Sequence, residues 1–113
     1  MSLFGDRRVW MYREPIDFRK QVNGLVQHIS EGSFEANDGS IYVFRNRQKN
    51  KIKMVMWHLN GFFLGSKRLE KGRFDFPANA ACVEMITEQL LNLLSGMPMI
   101  YQEKGAERLT IYA

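Results

Sequence analysis

The chain has 113 residues, 45% of them hydrophobic and 25% charged, which suits one soluble globular domain and leaves too little for two comfortable ones. A formal net charge of +4 and a pI near 9.4 favour a negatively charged partner: DNA, RNA or an acidic protein surface. One cysteine, Cys82, excludes an internal disulfide, and no stretch approaches the ~20 apolar residues of a membrane helix.

Along the chain, Val9, Trp10, Met11 and Tyr12 are bulky and β-prone and read as a first strand, ended by Glu14-Pro15. Asp17 is placed to N-cap a helix, with Phe18, Val22, Leu25, Val26 and Ile29 on its apolar face and Gly32 at its stop. Residues 33–40 are polar and read as a loop. Ile41, Tyr42, Val43 and Phe44 form a strand, and residues 45–51 an exposed cationic loop. Ile52, Met54 and Met56 alternate with Lys51, Lys53 and Val55, a strand with one apolar face.

Asn60-Gly61 is a strong hairpin signal, because its residues accept the positive φ angles of a type I′ turn. Phe62, Phe63 and Leu64 start the return strand, which completes an antiparallel meander. Lys71-Gly72 reads as a turn, and residues 74–77 as extended, since Pro77 disfavours helix before it. Thr87 is a candidate cap for a second helix, with Leu90, Leu91 and Leu94 on its apolar face and Gly96 at its end. Leu109 to Tyr112 is either a short strand or a loose end. The expected fold class is α+β: a single domain over residues 1–113, an antiparallel β-meander with two helices.

Charge is concentrated in the meander. Between Ile41 and Phe74 lie Arg45, Arg47, Lys49, Lys51, Lys53, Lys67, Arg68, Lys71 and Arg73, against the single acid Glu70. That segment carries a net +8, so the remainder carries −4. Lys51 and Lys53 share a strand face, and pairing around Asn60-Gly61 brings them close to Lys67 and Arg68. Like charges set opposite each other repel, so such a cluster implies a partner that neutralises it. A phosphate-contacting patch is one reading, with arginines at a loop tip within reach of base edges. A solvated face whose lysines protect a sheet edge is the other. Phe44, Trp57, Phe62, Phe63 and Phe74 interleave with the bases, as on a single-strand stacking platform, although strand aromatics more often build the core.

Catalytic signals are weak. His28 and His58 form no HxxxH or HxH pair, and Cys82 is far from both in sequence, so no zinc site or other cofactor is expected. Asp17, Glu70 and Asp75 are the candidate acids for a metal-dependent nuclease, but none stands in a diagnostic pair. No phosphate-binding glycine loop is present. The first six residues lack a signal-peptide core, and a reducing, cytoplasmic setting is expected.

Several motifs together resemble one family. They are Val43-Phe44-Arg45-Asn46-Arg47, Ile52-Lys53, Trp57, Asn60-Gly61-Phe62 and Lys67-Arg68-Leu69-Glu70-Lys71-Gly72-Arg73-Phe74, closing at Pro77. This series resembles the TnpB-type accessory protein encoded by the second reading frame of insertion sequences of family sixty-six. Asp17-Phe18-Arg19-Lys20 with Gly24-Leu25 resembles the family's opening motif, and residues 87–96 its leucine-rich closing helix. The resemblance covers about residues 9–96, leaving residues 97–113 as a tail without a match. Gly65-Ser66 departs from it, standing where the family carries bulky aromatics.

The resemblance implies a non-enzymatic accessory role in transposition, beside a separate transposase that carries the catalytic acids. Two partners are then in view. DNA would be held by the nine bases of the meander, or the patch would dock on the transposase or another protein of the same element.

Overall fold

The computed structural model describes residues 5–76, 82–96 and 110–112. Six strands form one sheet: β1 (Val9–Tyr12), β2 (Ile41–Arg45), β3 (Lys51–His58), β4 (Gly61–Arg68), β5 (Cys82–Met85) and β6 (Thr110–Tyr112). Helix α1 (Val22–Glu31) joins β1 to β2, and α2 (Thr87–Leu94) follows β5. The strand order is β4-β3-β2-β1-β5-β6. Strands β2, β3 and β4 make the antiparallel meander, and the class is α+β with two helices. The complete sheet is mixed, because β1 lies parallel to β2. Parallel neighbours need a crossover, and α1 supplies it.

Strand alternation sorts the core into two layers. Val9, Met11, Ile41, Val43, Ile52 and Met56 face one side, where Leu90 and Leu93 of α2 pack with Phe74, Phe76 and Met85. Trp10, Tyr42, Phe44 and Val55 face the other, beneath Leu25 and Ile29 of α1. Aromatic rings dominate this second layer: Tyr12 stacks on Phe44 at 4.7 Å, and Phe34 lies 4.6 Å from Trp10. The sheet is thus covered by one helix on each face. None of the helices among the described residues is long and apolar enough to cross a membrane.

Several local features differ from the sequence expectations. Asp17 does not cap α1. The helix starts five residues later, with Gln21 as its N-cap, and the Asp17 carboxylate instead accepts the Arg19 amide at 2.9 Å in a tight turn. An aspartate that satisfies an amide two residues on offers the backbone an alternative to helix. In α2 the N-cap is Ile86 rather than Thr87, and the Gln89 side chain reaches back to accept the Ile86 amide at 3.1 Å. The buried face of α2 is Leu90 with Leu93, whereas Leu91 is exposed.

The hairpin loop lies one residue earlier than Asn60-Gly61. His58 pairs with Gly61, so Leu59 and Asn60 form the loop, and Leu59 takes the positive φ of 58°. Finally, β5 is a strand that local pattern does not announce. The terminal β6 realises the strand alternative for residues 110–112, while Pro77 and Leu109 lie outside the described residues.

Candidate nucleic-acid interface

The turn between β2 and β3 is built around Asn46. Its side-chain carbonyl accepts the amides of Asn50 at 3.1 Å and Lys51 at 3.0 Å, and its NH2 donates to Asn50 Oδ1 at 2.6 Å. The Lys49 amide donates to the Asn46 carbonyl at 3.2 Å, and Lys49 has a φ of 63°. A turn closed by a left-handed residue is a standard hairpin connection, and it projects Arg47 at the tip. Residues 46–50 are therefore a braced turn.

The segment after β4 folds back onto this turn. Leu69 donates its amide to the Asn50 carbonyl at 2.8 Å, and Phe74 donates to the Lys49 carbonyl at 2.7 Å. Gly72, with a φ of +81°, lets residues 70–73 turn. In the β3–β4 register Lys51 stands opposite Arg68. Arg47, Lys49, Lys51, Arg68, Lys71 and Arg73 consequently gather at one end of the meander. All are exposed except Lys49, which is half-buried.

The other three bases of the segment are placed differently. Arg45 is 8% exposed. Its guanidinium donates to the carbonyls of Arg13 at 2.5 Å and Asn46 at 3.1 Å, and lies 5.5 Å from the Phe76 ring centre. Burial, the largest influence, pulls its pKa below the ordinary arginine value. Lys53 is also 8% exposed, and its ammonium donates to the carbonyls of Phe18 at 2.7 Å and Lys20 at 2.8 Å. Lys67 points to the opposite face from Lys51 and Arg68, and donates to the Leu94 carbonyl at 2.6 Å, where the negative end of α2 favours a cation.

An open groove of about 530 Å³ runs beside the basic end, lined by Phe18, Lys51, Lys53, Lys67, Arg68 and Glu70 among others. The Lys53 bonds draw the turn at residues 17–20 against β3, which adds the exposed Lys20 to the groove's surroundings. Nothing local in the sequence announces this, since Lys20 and Lys53 are 33 residues apart. Acids moderate the field. Glu70 pairs with Arg68 at 3.0 Å, and Asp17 pairs with Arg19 at 2.7 Å. The Arg19 side chain, and then its amide, hold the Asp17 carboxyl down at about 2, so it is anionic at neutral pH.

The interleaved aromatics separate by burial. Phe44 and Phe74 are in the core, Trp57 and Phe62 are half-buried edge-to-face at 4.9 Å, and Phe63 is exposed. Of the acids considered for a nuclease, Asp17 and Glu70 each face an arginine. Among the described residues no group of three His, Cys, Asp or Glu side chains is arranged to hold a metal.

Comparison with known proteins gives a consistent picture. The model of the family described as IS66 Orf2 like protein matches residues 7–104. The uncharacterized protein y4jC of Sinorhizobium fredii is 30% identical over 92 residues, covering 80% of this chain and 79% of that protein. The uncharacterized protein y4hO of the same organism is 33% identical over 92 residues, covering 80% of each. No solved structure matches the chain.

Proposed function

Because this chain belongs to the family of IS66 Orf2-like proteins, we propose that it serves transposition as a non-enzymatic accessory protein that holds DNA by the basic end of its meander. The observation that carries this reading is the convergence of Arg47, Lys49, Lys51, Arg68, Lys71 and Arg73 from three segments onto one end of the fold. Lys51 stands directly opposite Arg68, and the exposed Arg68–Glu70 pair offsets only part of that repulsion. Phosphates would relieve the rest, and each contact releases a condensed counterion. Arg47, at the tip of a braced turn, has the reach for a groove. Arg45 and Lys53 support the site as scaffold, because their charged groups are bonded to backbone carbonyls.

The test is binding to labelled duplex DNA at low salt. Changing Arg47, Arg68 and Arg73 together to glutamate is expected to abolish binding while the circular dichroism spectrum stays the same. Unaltered affinity in that variant overturns the reading. The acids Asp17 and Glu70 beside the cations favour a second use of the same surface, docking on a protein of mixed charge such as the element's transposase. That reading expects no DNA binding at physiological salt and co-purification with the transposase, lost in the same triple variant.

A further inference from the structure

Among the described residues β4 is an edge strand of the sheet, with no strand paired on its outer side. It pairs with β3 over eight consecutive residues without a bulge, contains no proline, and carries no charge before Lys67. Such an edge is a template for another strand. The pattern of its hydrogen bonds can be followed from the hairpin. A two-residue loop makes the flanking His58 and Gly61 a bonded pair, and bonded pairs alternate along the strand. Phe63, Gly65 and Lys67 therefore bond inward to β3, and Phe62, Leu64 and Ser66 turn their amides and carbonyls to the open edge.

The side chains on this edge are complementary to themselves. Phe63 stands 50% exposed on the α2 face of the sheet. Two residues on, Gly65 offers a gap on the same face. A Cβ built there would have only Met54 Cε nearby, at 3.6 Å. An apolar hollow of about 190 Å³ beside it is lined by Met54, Met56, Phe63 and Gly65 among others.

We propose that β4 is a self-association edge, and that a second copy of this chain pairs antiparallel with it about a two-fold axis at Leu64. In this register Leu64 meets Leu64 of the second copy as a bonded pair. Phe62 meets Ser66, and Phe63 lies over Gly65, twice by symmetry. An aromatic ring over a cross-strand glycine covers the backbone that the glycine leaves bare. The charges select the same orientation. Lys67 and Arg68 come opposite the uncharged Gly61 and Asn60, whereas a parallel alignment would set the two basic ends against each other. A C2 contact of this kind closes on itself, so it yields a dimer and not a fibre. The proposal is independent of what the basic end contacts.

Sedimentation equilibrium of the full chain is the test, run from micromolar to near-millimolar concentration. The expected result is a reversible rise from 13.2 kDa to twice that mass. Phe63→Glu removes the ring and adds like charge across the axis, and should weaken dimerisation at least tenfold. Ser66→Pro deletes an amide that faces outward, so β3 pairing and the circular dichroism spectrum should persist while the dimer is lost. A single 13.2 kDa species throughout overturns the proposal, as does a dimer that both substitutions leave intact. Loading of this edge only when the transposase is co-expressed also overturns it, and assigns β4 to a strand of that protein.

Discussion

Lys51 and Lys53 stand two residues apart on one face of β3, yet one is exposed and the other is 8% exposed with two carbonyls on its ammonium. The alternation that puts both on one face is legible in the sequence. The difference between them is not, because the carbonyls of Phe18 and Lys20 come from a turn 35 and 33 residues earlier. Arg45 is the same case, with its main acceptor on Arg13. The basic segment is thus legible in the sequence, and the fold divides its nine cations into six gathered at one end and three whose charged groups are bonded to backbone carbonyls. This division is measurable. Lys53→Met should lower stability by about 2 kcal/mol in urea denaturation, since it strands two acceptors of a charged donor. DNA affinity of the folded protein should stay unchanged, the converse of the arginine-to-glutamate variant. A loss of affinity without a loss of stability would instead place Lys53 at the binding surface.

Strands β2, β3 and β4 are readable because each carries its own signal: β-branched and aromatic residues in β2, polar–apolar alternation in β3, and the Phe62-Phe63-Leu64 run after the turn in β4. Strand β5 has four residues, one of them Glu84, and is a strand because β1 pairs with it from Val9↔Met85 to Tyr12↔Cys82. No local pattern encodes a pairing across that separation. The Asn60-Gly61 signal lies within one residue of the loop, and the offset has a physical reason. Asn60-Gly61 would place a left-handed pair at the turn, but the match of Met56 with Phe63 and of Val55 with Leu64 fixes the register and moves the loop to Leu59-Asn60. Leu59 then has a φ of 58° and is 82% exposed, with Asn60 donating to His58 across it at 2.7 Å. A leucine in that region costs roughly 1–2 kcal/mol. Leu59→Gly should accordingly raise the urea midpoint by the equivalent of about 1 kcal/mol with an unchanged m-value. A lower midpoint would show that the register, and not the turn residue, carries the strain.

Across the whole molecule, the +4 chain is an uneven object, with the meander basic and the rest acidic. Binding by the basic end alone sets a bound on salt dependence. Six cations give a slope of log affinity against log salt no steeper than roughly −5 on duplex DNA. A steeper slope would require cations beyond this end, or two copies acting on one duplex. The order of the strands has a consequence of another kind. The meander needs only residues 41–68 to pair, whereas β1, made first, has to wait for β5, some seventy residues later, before its second edge is filled. Local pairings form fast and distant ones slowly. During synthesis the basic hairpins should thus be in place while Val9 and Met11 still lack the cover of Met85 and α2, and any nascent-chain chaperone would find its apolar target at the front of the chain.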